Sequence, residues 1–174
     1  MPKNISDEER YWEAVNDICD TKRTGVEAAY WAIKCSRDLI SMLRKYSEIS
    51  HAKMNLLSLR VKEAERCLWD SRLTCPGGKL PVPKTGRMIW ERAALDAISV
   101  AVRMPVSPWF EQLDFTSETV WFFVKEYTRA GALLSTDPTS RSYQKPAPAD
   151  YWEHAADAAE RLLLMISAVR KKRK

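Results

Sequence analysis

A chain of 174 residues with 45% apolar and 29% charged side chains is long enough to bury a core by itself and too apolar to stay disordered. Its formal charge of +5 is local, which argues against a protein coated for indiscriminate nucleic-acid binding. No run approaches the roughly 20 apolar residues of a membrane span, and Met1 to Arg10 lacks the apolar stretch of a secretory leader; a soluble cytoplasmic protein is expected, nuclear in a eukaryotic host or virus on account of its basic end.

Residues 1–20 carry two basic and six acidic side chains, 21–50 six and three, 51–105 ten and five, and 106–169 five and nine. The last five residues, Arg170, Lys171, Lys172, Arg173 and Lys174, are all basic, so the body before this tail (170–174) is neutral. Seven tryptophans against five glycines point to a core anchored by large rings. Cys19, Cys35, Cys67 and Cys75 are widely spaced without a C-x-x-C pair; they are expected as reduced, mostly buried thiols, with no metal and no cofactor.

Helix signals dominate from the start. Ser6-Asp7-Glu8-Glu9 is a capping box that opens a first helix running to about Asp20. Thr24-Gly25-Val26-Glu27 repeats the signal, and Ala28, Ala32, Cys35, Leu39, Met42 and Tyr46 then recur in steps of four and three as one apolar stripe. After a break at Ser47 to Ser50, Met54, Leu57, Val61, Ala64 and Leu68 form a narrower seam to about Leu73. Helices two and three are expected to form a long antiparallel hairpin.

Cys75 to Pro83 holds three prolines and a Gly pair, so 75–84 reads as a loop. The fourth helix, from about Thr85 to Arg103, confines its polar residues to Arg92, Asp96, Ser99 and Arg103, the pattern of a mostly buried central helix. Ser107-Pro108 predicts a short helix through about Leu113. Thr116 is expected to cap the next helix, whose Val120, Trp121, Phe123, Val124 and Tyr127 form a dense aromatic face. A second, mobile loop is expected at 135–149, before an Ala-rich last helix from about Asp150 to Arg170. With no β pattern anywhere, 1–174 reads as a single all-α domain, a bundle of about six to seven helices. Tyr11-Trp12-Glu13 with Asp17 is echoed by Tyr151-Trp152-Glu153 with Asp157, read as coincidence or as two helix starts converging on one packing solution.

Catalytic signals are sparse: two histidines, and no P-loop, G-x-S-x-G or H-E-x-x-H motif. Arg44, followed after six residues by His51, resembles the R-x(4–6)-H pattern of helical HEPN ribonucleases. That resemblance implies action of this Arg and His on a scissile phosphate. It covers two residues and departs from the family in lacking its usual polar residue after the Arg, where Lys45 stands.

The basic middle third carries more. Lys62, Arg66 and Trp69 share one helical face with Arg72 beside them, and Lys79, Lys84, Arg87 and Trp90 follow across the loop. Cations interleaved with aromatic rings suit phosphates and stacked bases. Glu63, Glu65 and Asp70 lie among them and equally suit an ordinary paired surface. The reading that follows is a non-enzymatic helical accessory protein, an adaptor or inhibitor with a protein partner at a nucleic-acid-containing target. Direct RNA or DNA binding by Lys62, Arg66, Trp69, Arg72, Lys79, Lys84, Arg87 and the 170–174 tail is the alternative, and a HEPN-like ribonuclease a third. No membrane partner is expected, and self-association through the exposed face of the third helix is left open.

Overall fold

The computed structural model describes residues 5–20, 25–69, 88–106, 113–141 and 147–171. Among them the chain is all-helical: α1 (Asp7–Asp20), α2 (Gly25–Tyr46), α3 (His51–Trp69), α4 (Ile89–Arg103), a 3-10 turn (Met104–Val106), α5 (Leu113–Thr136) and α6 (Tyr151–Lys171). The loop at 75–84, the cap at Thr24 and the helix expected from Ser107 fall wholly or largely outside the described residues.

Local chemistry accounts for several boundaries. The Ser6 N–H donates to the Glu9 carboxylate (2.9 Å) and the Glu9 N–H to Ser6 Oγ (3.2 Å), the reciprocal pair of a capping box. Two serines make the α2–α3 turn. Ser47 Oγ donates to the Leu43 carbonyl (2.6 Å) and accepts from the Ile49 N–H (3.3 Å), while Ser50 Oγ accepts from the Lys53 N–H (3.4 Å) at the start of α3.

The helices associate in pairs: α1 with α6, α4 with α5, α2 with α3. The α4–α5 pair is the middle layer, with α5 reaching α6, α1 and α2, and α4 reaching α2 and α3. Ten of the 15 residues of α4 are buried, while Arg92, Asp96 and Arg103 stay exposed. Between the layers, Trp31 of α2 meets Phe123 of α5 edge-on at 5.5 Å between ring centroids, both rings buried.

The sequence echo is a real contact. Tyr11 and Trp12 of α1 lie 5.4 and 6.3 Å from the Trp152 ring of α6. Ala155, Ala156 and Ala159 are buried and carry no bulk, so α6 seats closely. Arg10 then clamps the pair through Asp157 (3.1 Å) and Glu160 (2.9 Å).

Several expectations shift. The α2 stripe turns inward only as far as Met42, because Tyr46 in the last turn is 55% exposed. Trp121 leaves the aromatic face of α5 and lies outward under Lys125 Nζ, 4.9 Å from its ring. Helix α5 already begins at Leu113, ahead of Thr116, and α4 begins at Ile89 and not near Thr85, because Met88 is extended (φ −92, ψ 152). Cys67 is disulfide-bonded, whereas Cys19 and Cys35 are not. The expectation of reduced thiols rested on a missing secretory leader, whereas Cys67 is only half-buried off the α3 seam and accessible to a bonding partner. None of the helices, among the described residues, is long and apolar enough to cross a membrane.

Candidate functional site

Helix α3 is held to the bundle along one seam, with Met54, Leu57, Val61 and Ala64 buried. That seam fixes which residues point away. Leu59, Lys62, Arg66 and Trp69 follow at steps of three, four and three, so they share the opposite face, and all are exposed. At 1.5 Å per residue the stripe is about 15 Å long. Its ends are apolar, Leu59 and Trp69 being 49% and 54% exposed, and its centre is cationic. The Trp69 ring leans edge-on against Tyr30 of α2 at 5.7 Å, which props it outward.

The acidic neighbours are engaged elsewhere. Arg60 holds Glu63 at 3.0 Å, and Arg37 of α2 holds Glu65. Among the described residues, Lys62 and Arg66 are in no ion pair; Asp70, four positions on from Arg66, lies outside them.

Of the residues nominated from sequence, the structure thus brings Lys62, Arg66 and Trp69 together. Trp90 does not join them, being 2% exposed in the first turn of α4. Arg72, Lys79, Lys84, Arg87, Lys172, Arg173 and Lys174 lie outside the described residues, as do the side chains of Arg170 and Lys171 at the end of α6. Leu59 was not nominated, yet it falls out of phase with the Met54–Leu57–Val61 seam, and an apolar residue off its seam is the signal that finds it.

The two residues of the HEPN-like pattern lie on either side of the α2–α3 turn. Arg44 donates to Ser58 Oγ across the α2–α3 pair (2.9 Å), while His51 is exposed at the first position of α3. Burial pushes the Cys35 thiol up to about 12, so it is no nucleophile at neutral pH. No group of three or more metal-ligating side chains occurs among the described residues. A separate concavity of about 1230 Å³ opens between the α2–α3 turn, the first turn of α4 and the end of α5. It is lined in part by Tyr46, Lys53, Trp90, Glu91, Arg92 and Arg141, a mixture of signs that selects no ligand class. Compared with known proteins, the chain matches no family model, no curated protein and no solved structure.

Proposed function

We propose that this chain is a non-enzymatic helical binding protein, an adaptor or inhibitor working through protein contacts, with the outward stripe of α3 as its contact surface. The observation that carries this reading is Trp69, exposed at one end of a stripe whose cations Lys62 and Arg66 are unpaired among the described residues. Trp and Arg are the residues most enriched among interface hot spots, where one truncation costs about 2 kcal/mol or more. The α2–α3 pair, read as an antiparallel hairpin, presents the stripe on a rigid edge. A photo-crosslinking amino acid at Leu59 in the source cells is expected to capture a discrete protein. That product should vanish with Trp69→Ala or Arg66→Glu and be absent when the probe sits at Leu164, exposed on α6. Equal capture from both positions, or capture indifferent to both substitutions, overturns the reading.

Direct nucleic-acid binding is the second reading, favoured by the same exposed ring, since a base stacked on an aromatic contributes about 1–3 kcal/mol. It requires single-stranded RNA or DNA oligonucleotides to bind at roughly 50 mM salt and to lose affinity steeply as salt rises. Trp69→Ala should then weaken binding roughly tenfold. Absence of salt-dependent binding removes it.

A further inference from the structure

The outer layers of the bundle are oppositely charged. Helices α2 and α3 with the turn between them (25–69) hold eight basic and five acidic side chains, whereas α1 together with residues 151–169 of α6 holds two basic and nine acidic. Both layers meet the central α4–α5 pair, with α2 reaching α4 and α5, α3 reaching α4, and α1 and α6 reaching α5, and α1 makes no substantial contact with α3. Within one molecule, therefore, the basic stripe and the acidic helix do not neutralise each other.

Their spacing matches. On α1, Glu9, Glu13, Asn16 and Asp20 recur at steps of four, three and four and are all exposed, a stripe turned away from the buried Tyr11, Ala14, Val15 and Ile18. Among the described residues, Glu13 and Asp20 are in no ion pair. Glu9 and Glu13 are one helical turn apart, as are Lys62 and Arg66. Just ahead of α1 stands Ile5, 42% exposed, an apolar counterpart for Leu59 or Trp69 at the ends of the α3 stripe.

Resting on the reading of α3 as a contact surface, we infer that the α3 stripe docks the acidic α1 stripe of a second copy of this chain. The two surfaces differ, so the contact is heterologous: one copy keeps its α1 stripe unused and the other keeps its α3 stripe. Assembly grows beyond a dimer unless the rotation closes a ring. Because the contact is mainly electrostatic and exposed, it depends on salt, with screening within roughly 3 Å at 1 M against roughly 30 Å at 0.01 M.

Sedimentation velocity of the full chain, freed of nucleic acid as judged by its absorbance ratio, tests this directly. At about 20 mM salt the protein should form dimers and larger species as concentration rises, and at about 0.5 M it should be monomeric. The Lys62→Glu/Arg66→Glu double variant should be monomeric at both, and so should Glu13→Lys/Asp20→Lys. Mixing the two variants restores opposite charges across the contact and should restore assembly, a result that misfolding of either variant does not produce. A wild-type chain monomeric throughout at low salt, or assembly unmoved by the swaps, overturns the inference. Crosslinking of a different protein at Leu59 is independent of that outcome and judges the contact-surface reading separately.

Discussion

Glu126 lies in α5 with a buried carboxyl group, and Arg129 one turn on reaches it at 3.2 Å. Burial pushes the Glu126 carboxyl above its ordinary range, Arg129 and Lys125 pull it down, and Asp96 of α4 pushes it up. Asp96 is itself raised by burial against the pull of Arg129, which also hydrogen-bonds Tyr151 of α6. Nearby, burial pushes Tyr11 up to about 12 although its hydroxyl shares a hydrogen bond with Thr128 (2.9 Å). The folded protein thus binds the Glu126 proton more tightly than the unfolded chain does. The contribution of this group to stability rises as pH falls through its raised value and is complete below the ordinary carboxylate range. Glu126→Gln removes that titration. Its unfolding free energy relative to wild type, from denaturant titrations at about pH 7 and about pH 5, should be more favourable at the higher pH. Equal differences at the two pH values sink the assignment. Such a network was not legible in sequence, since Glu126 looks like a surface residue until tertiary packing buries it and brings Asp96 of α4 and Tyr151 of α6 near Arg129. Trp69 was partly legible, because it falls off the seam that Met54, Leu57, Val61 and Ala64 define.

At the scale of helices, starts with their own chemistry were readable and starts capped from afar were not. Ser6 and Glu9 cap α1 from within four residues. Met88, by contrast, offers α4 no side-chain hydrogen bond, and the Ile89 N–H is satisfied at 2.9 Å by the carbonyl of Ser140, a residue from the loop after α5. No local pattern near Thr85 encodes that partner. The interior of α5 contains an unused opportunity. Gly131 sits mid-helix, and a Cβ placed there meets nothing within 4 Å. Gly131→Ala should therefore stabilise the protein by about 0.5–1 kcal/mol, through helix propensity and a less flexible unfolded chain. A urea midpoint that moves downward contradicts this.

For the whole molecule, the all-helical class followed from periodicity, and the buried character of α4 from its narrow polar line. The order of the layers did not, because it rests on contacts such as Arg10 with Glu160, 150 positions apart. The most consequential of these junctions is at Phe123, fully buried between Trp31 and Tyr127. Phe123→Ala should cost about 3–5 kcal/mol, read as a lowered midpoint in thermal and chemical unfolding; a loss below about 1 kcal/mol would mean that the layers are not coupled there. The pairing of α1 with α6 also orders events in time. During synthesis at about 5–20 residues per second, α1 leaves the ribosome on the order of ten seconds before α6 is made. For that interval Tyr11 and Trp12 lack Trp152, and Arg10 lacks its two distant carboxylates. Closing so long a loop is slow and rewarded only at the end, so the docking of α1 is a late step of folding, and until then its apolar side is open to whatever else is in reach.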